Sequence, residues 1–291
     1  MTAGCPTTWA AGEGEMADYR DGFITVNGMR FHYLDWGDPT APPVVLLHGT
    51  TSNAHSWDRV AAMLARKYRA VALDARNHGD SDTSPVPYNR DMLADDVAAT
   101  VDALGFETFG LIGLSMGGRT AMVYAGHHPE RVERLVIEDI GPETPPEATA
   151  RVMERIRSSP QRFRSLDEYI AWSRQSLQFA DEEWLREKAR HATRLLPDGT
   201  YENKYRHNES QNAPLTTALD LWEHITRITC PTLIVRGSES DVLTAEIADR
   251  MARVMPNARH IVIERAGHPV HEDNPRDTIR AYAEFFGVPL D

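Results

Sequence analysis

The chain places Gly113-Leu114-Ser115-Met116-Gly117-Gly118 between an apolar run, Phe109–Leu114, and a helical pattern that begins at Met116. No residue is left over for a loop. A strand must turn straight into a helix around Ser115, which strains the central residue and crowds the side chains two positions either side. Gly113 and Gly117 remove those side chains. The Ser115 hydroxyl then stands clear of the backbone at a helix N-terminus, where the helix dipole favours developing negative charge. A Gly-rich turn with an incidental Ser is the bland alternative, and the neighbouring motifs decide against it.

The rest of the chain supplies a sheet for this turn. Apolar runs occur at Phe23–Val26, Met29–Leu34, Val44–Leu47, Tyr68–Leu73 and Val132–Ile137, the later ones nearly continuous Val, Ile and Leu. Such runs suit strands buried on both faces of a parallel sheet. Helical spacing lies between them at Trp57–Ala65 and Met92–Leu104. The alternation predicts an α/β fold with a doubly wound, mostly parallel sheet. Residues 141–228 break the rhythm. They show helical character at Ala148–Arg157, Leu166–Phe179 and Asp181–Leu196 and no strand pattern. After Cys230-Pro231 the alternation resumes with strand Thr232–Arg236, helix Ala245–Met255, strand His260–Ile263 and helix Asp277–Phe286. The expected layout is a mobile tail over 1–20, a core over 21–140 and 229–291, and a helical lid over 141–228. The lid would lie above the carboxyl edge of the sheet, where open α/β sheets bind ligands.

Composition narrows the function. Of 291 residues, 31 are Lys or Arg and 43 Asp or Glu, a net charge of −12 with no basic run. That argues against nucleic acid as a partner. No apolar run approaches the ~20 residues that span a bilayer. No signal peptide is visible at the N-terminus. Cys5 and Cys230 are the two cysteines, too few for a disulfide framework. A cytoplasmic location is the expectation.

Three motifs carry chemistry. The first is the turn at Ser115. Gly113 to Thr120 also reads G-x-x-x-x-G-R-T, one residue from a phosphate-binding loop, but Arg119 replaces the Lys that such a loop needs. The second is His48-Gly49-Thr50 after Val44–Leu47. In an enzyme with a nucleophile elbow this loop gives one oxyanion-binding N–H, and the residue after the nucleophile gives the other. Those are Thr50 and Met116; His48 is read as holding the loop. The third is Ala266-Gly267-His268-Pro269-Val270-His271, past the last strand. A Ser nucleophile needs a base that titrates near neutrality, and His268 fits. An imidazole base predicts a rate that rises over roughly pH 6–7.5. His271 is read as structural. A metal pair at His268 and His271 lacks a third ligand at suitable spacing.

Taken together, these motifs resemble the lid-bearing serine hydrolases of the α/β-hydrolase fold, over residues ~22–290. Asp74-Ala75-Arg76-Asn77-His78-Gly79-Asp80-Ser81 matches that family's D-x-R-x-H-G-x-S loop, with Arg76 and Ser81 read as structural. Asn77 stands where many relatives carry Gly and resembles a subgroup of small-acyl esterases and thioesterases. The resemblance implies a carboxylate that orients His268. Most relatives place it in a G-x-x-D turn after the strand Thr232–Arg236. Here that position is Ser240, and Asp241 falls one residue late. The esterase subgroup has Ser there and takes its acid from the end of the preceding strand, which is Asp139. Asp139 is favoured and Asp241 is the alternative.

The expected activity is cofactor-independent hydrolysis of a small or medium carboxylic ester or thioester through an acyl group on Ser115. No metal is expected. Lactone or enol-lactone hydrolysis, C–C bond hydrolysis and perhydrolysis use the same machinery, so the motifs leave them open. A ligand receptor that does not turn over is a further alternative. A dehalogenase or epoxide hydrolase is disfavoured because the elbow carries Ser instead of Asp. Trp57, Trp172 and Trp222 are candidates for the substrate pocket, although packing of the lid would also account for the lid aromatics.

Overall fold

A computed structural model describes residues 19–207 and 215–290, together with the backbone of two short strands, β1 (Thr8–Trp9) and β2 (Gly14–Glu15), which pair with each other. The long strands are β3 (Tyr19–Val26), β4 (Met29–Trp36), β5 (Pro43–Leu47), β6 (Arg69–Leu73), β7 (Phe109–Leu114) and β8 (Val132–Glu138). Three short strands follow, β9 (Arg162–Phe163), β10 (Thr193–Leu195) and β11 (Tyr201–Asn203), then β12 (Thr232–Gly237) and β13 (Ala258–Ile263). Among the described residues the main sheet runs in the order β13-β12-β8-β7-β5-β6-β4-β3. Only the β3–β4 and β4–β6 pairings are antiparallel.

Each central strand is buried on both faces, which is why its sequence is continuously apolar. On β5, Val45 and Leu47 face the helices Arg90–Ala103 and Met116–His127. Val44 and Leu46 face Asp58–Leu64 and Pro275–Phe286. Each fully buried side chain of this size stabilises the fold by about 1.5–3 kcal/mol.

The sequence-based layout needs three changes. Most of the 1–20 tail lies outside the described residues, but Tyr19 and Arg20 open strand β3, paired with Trp36 and Asp35. Residues 141–228 are not all helical. They carry the helices Pro146–Arg157, Leu166–Ser173, Glu182–Ala192 and Leu221–His224 and also an antiparallel sheet in the order β10-β11-β9. The expected helix Asp181–Leu196 stops at Ala192, where β10 begins, and Leu166–Phe179 stops at Ser173. This insertion has its own core of Phe163, Tyr169, Leu177, Trp184 and Leu185. Trp184 is therefore packing. Cys230 is buried, whereas Cys5 lies outside the described residues. No helix among the described residues is long and apolar enough to cross a membrane.

The loop after β6 locks the floor of the site. Asp74 is buried; its Oδ1 accepts from the Ala54 N–H at 2.6 Å and its Oδ2 from the Asp80 N–H at 2.8 Å and His32 Nδ1 at 2.7 Å. Gly79 sits at φ +56, and a Cβ there would lie 1.9 Å from Asp74 Oδ2, so only glycine fits. Ser81 Oγ donates to the Asp74 carbonyl, and Arg76 forks onto Asp96 at 2.7 Å. Both keep the structural roles expected of them. Asn77 joins the loop to the insertion through Nδ2 to the Arg206 carbonyl.

Burial would raise the Asp74 pKa, but the hydrogen bond and charge of His32 outweigh it and hold the carboxyl at about 2. A folded-state pKa below the unfolded value means stability that is complete above pH ~4 and lost as pH falls towards 2. The expected loss is about 2–3 kcal/mol over that window. Chemical denaturation of the wild type at stepped pH checks it. Asp74→Asn should start at least ~3 kcal/mol less stable at neutral pH and lack this acid limb. An unchanged limb would exclude Asp74 as its source.

Candidate active site

Ser115 lies between β7 and the helix Met116–His127, with φ 54 and ψ −113. The steric argument from sequence holds in detail. A Cβ on Gly113 would lie 2.4 Å from the Gly117 carbonyl oxygen. One on Gly117 would lie 2.2 Å from the Leu47 oxygen, at the end of β5. Gly117 therefore clears the neighbouring strand, so the elbow can sit against the His48–Thr50 loop. The Gly117 N–H donates to the His48 carbonyl at 3.2 Å, which ties the two segments together. Met116 is the first residue of its helix, so its N–H has no partner within the helix. Thr50 and Met116 line one cavity together with Ser115 and His268. His48 is buried, with Nδ1 against the Gly49 carbonyl and Nε2 accepting the Ala75 N–H at 3.1 Å. It holds two loops together.

His268 Nδ1 donates to Asp139 Oδ2 at 2.8 Å. Asp139 follows β8 directly, is fully buried, and has a left-handed backbone with φ 49. The Gly237 N–H donates to its Oδ1 at 3.0 Å, and Ser240 Oγ donates to its Oδ2. Burial raises the Asp139 pKa, against the opposing pull of His268, Ser240 and Gly237. Ser240, at the position where the resemblance points to an acid, instead directs its hydroxyl to Asp139. Asp241 is exposed and pairs with Arg151. No hydrogen bond joins Asp241 to His268 among the described residues, whereas Asp139 makes one.

His271 is a separate unit. Its Nδ1 and its backbone N–H both meet Glu138 Oε1, at 2.7 Å and 3.1 Å, and its Nε2 meets the Ser56 carbonyl at 3.1 Å. Tyr282 donates to Glu138 Oε2 at 2.5 Å. Burial would raise the Glu138 pKa, but the charge and hydrogen bonds of His271 bring it down. Trp57 stacks on His271 with ring centroids 3.9 Å apart and is fully buried. Trp57 therefore lies in the core and lines neither cavity at Ser115, contrary to expectation.

Two cavities meet at Ser115 and His268. One holds about 370 Å³ and includes Trp172, whose ring lies 4.2 Å under the Arg155 guanidinium. Trp172 thus lines a cavity that also includes Ser115 and His268. The other holds about 90 Å³ and is lined also by Arg90 and Arg119. Trp222 lines a further cavity that shares these two arginines and does not include Ser115. It packs against Arg250, 3.7 Å from the ring centroid. The sequence reading did not select Arg90 or Arg119 as site residues. Arg119 entered only as the wrong residue for a phosphate loop, and the missed signal is an Arg in the first turn of each helix.

Residues 42–275 match the family described as alpha/beta hydrolase fold. A putative 2-succinyl-6-hydroxy-2,4-cyclohexadiene-1-carboxylate synthase of Bacillus subtilis (strain 168) is 30% identical over 274 residues, covering 90% of this chain and 97% of that protein. The sn-1-specific diacylglycerol lipase ABHD11 of Mus musculus is 30% identical over 268 residues, covering 88% and 84%. Among solved structures, E-2-(acetamidomethylene)succinate hydrolase superposes with a TM-score of 0.84 at 24% identity, covering 93% of this chain and all of that one. The chain belongs to the α/β-hydrolase family.

Proposed function

We propose that the protein is a serine hydrolase that cleaves carboxylic esters or thioesters of small to medium acyl groups. The observation that carries this reading is the His268 Nδ1–Asp139 bond of 2.8 Å beside Ser115 on its elbow. Ser115 Oγ attacks the ester carbonyl. His268 takes the hydroxyl proton and delivers it to the leaving alcohol or thiol. The Thr50 and Met116 N–H groups hold the oxyanion, at typically ~2.7–4 kcal/mol per donor. Water, activated by His268, then releases the acyl group from Ser115. Asp139 keeps the His268 proton on Nδ1, which leaves Nε2 free to accept. The insertion over 141–228 serves as the lid, with Trp172 on its inner wall. The relative named as a diacylglycerol lipase, 30% identical, supports ester hydrolysis.

The test is turnover of 4-nitrophenyl esters from acetate to dodecanoate, together with mass spectrometry after reaction with a fluorophosphonate. Hydrolysis of the shorter esters, and a single adduct on the Ser115 peptide, are expected. A folded protein that neither hydrolyses any ester nor forms the adduct would overturn the reading.

A further inference from the structure

We propose that the ester taken by this site carries a free carboxylate, bound between Arg90 and Arg119. The proposal rests on the hydrolase reading and names its substrate class.

The two arginines line the smaller cavity together with Ser115, Met116 and His268. No Asp or Glu side chain lines it among the described residues. The protein has 43 acidic residues to draw on, so this omission is specific. Three arginines are buried among the described residues: Arg59, Arg76 and Arg90. Arg59 forks onto Asp181 and Arg76 onto Asp96. Arg90, only 5% exposed, has no carboxylate partner among the described residues. Its Nη2 donates to the Leu215 carbonyl at 2.7 Å, and its Nη1 is buried with no acceptor. Arg119 also meets only neutral oxygens, the Gly141 carbonyl at 2.8 Å and Thr144 Oγ1 at 2.7 Å.

Both residues sit where a cation is disfavoured. Arg90 is the first residue of the helix Arg90–Ala103, and Arg119 lies in the first turn of Met116–His127. These are the positive ends of the helix dipoles. Burial, reinforced by the charge of Arg119, brings the Arg90 pKa down to about 9. Burial alone brings Arg119 to about 10. Two guanidinium forks, two helix ends and an orphan N–H gather at this cavity; among the described residues Asp91 acts on Arg90 through space, and no carboxylate hydrogen-bonds either fork. A carboxylate fits there, because it accepts from a guanidinium fork in two-point geometry.

The size of the cavity limits the ligand. Ser115, Arg90 and Arg119 all line the same cavity of about 90 Å³, which leaves room for a short carbon arm between the ester carbonyl and the carboxylate. The carboxylate can sit on the acyl side, as in a hemi-ester of a dicarboxylic acid, or on the alcohol side, as in the ester of a hydroxy acid.

The experiment compares matched pairs in kcat/KM. On the acyl side the pair is 4-nitrophenyl hydrogen glutarate and 4-nitrophenyl methyl glutarate. On the alcohol side it is the butyryl ester of 3-hydroxybutyrate and that of 3-hydroxybutyramide. The wild type is expected to prefer the anion at least 30-fold in one pair, which identifies the arm. Arg90→Gln and Arg119→Gln should each reduce that ratio tenfold or more, and the Lys variants should keep part of it. No preference in either pair, or a ratio that both Gln variants preserve, overturns the proposal while ester hydrolysis stands. If no ester is cleaved, the hydrolase reading fails separately, and glutarate alone becomes the probe. A Tm that glutarate raises in the wild type and not in the Gln variants supports the carboxylate site; an unmoved Tm in the wild type overturns it.

Discussion

Replacing Ser115 with Ala is expected to lower kcat for a short-chain ester by about 10⁴–10⁶-fold, since a triad without its nucleophile keeps only oxyanion binding and positioning. The fold should survive. Residue 115 sits at φ 54, a conformation that costs any residue with a Cβ about the same, so Ala inherits the strain of Ser without adding to it. Ser115→Gly would release that strain and raise stability by about 1 kcal/mol. Steady-state rates alongside thermal unfolding separate the two effects. Substantial hydrolysis in a folded Ser115→Ala protein would move the nucleophile elsewhere.

The second large effect is expected at Asp139. Asp139→Asn should cost about 10³–10⁴-fold in kcat. Gly237 and Ser240 both donate to this carboxylate, so an amide must present its oxygen to them as far as it can. The Oδ1 site, which takes only the Gly237 N–H, suits the amide oxygen. The NH₂ group then falls on the Oδ2 side and faces His268 Nδ1. His268 would have to accept there and carry its proton on Nε2, where it cannot take one from Ser115. Asp241→Asn should change kcat less than about threefold, because Asp241 is exposed and engaged with Arg151. Equal losses in the two variants would defeat the assignment to Asp139.

What could be read from the sequence divides by the range of the interaction. The elbow at Ser115 is legible because Gly113 answers a local steric demand, the Gly117 carbonyl, even though Gly117 itself clears the distant Leu47. The strands β5 to β8 are legible because burial on both faces makes them continuously apolar. Strand β3 begins earlier than expected because Tyr19, Arg20 and Asp21 are exposed and leave no hydrophobic pattern. Strands β9 to β11 are two or three residues long and cannot show a period of two. Asp139 was legible to the extent that alternation sets it apart from Glu138, whose face it does not share. Trp57 was not, because its stacking partner, His271, is more than two hundred residues away in sequence. Arg90 escaped for the opposite reason: the informative fact is the carboxylate it lacks, which only three dimensions reveal.

The neighbouring strands β7 and β8 pair Leu114 with Glu138, and the Ser115 N–H donates to the Glu138 carbonyl at 3.2 Å. Ser115 and Asp139 are therefore adjoining ends of two strands in the middle of the sheet, held as one rigid piece. The turn after β12 contributes a hydroxyl and an amide hydrogen, from Ser240 and Gly237, and no acid. Just beyond Ser240, Asp241 is exposed on the wall of the larger cavity, whereas Val242 and Leu243 are buried and the Val242 N–H donates back to Ser240 Oγ at 3.2 Å. For an engineer, Asp241 is the point on this rim where the pocket mouth can be rewritten while the carboxylate and imidazole beneath it stay anchored in the sheet.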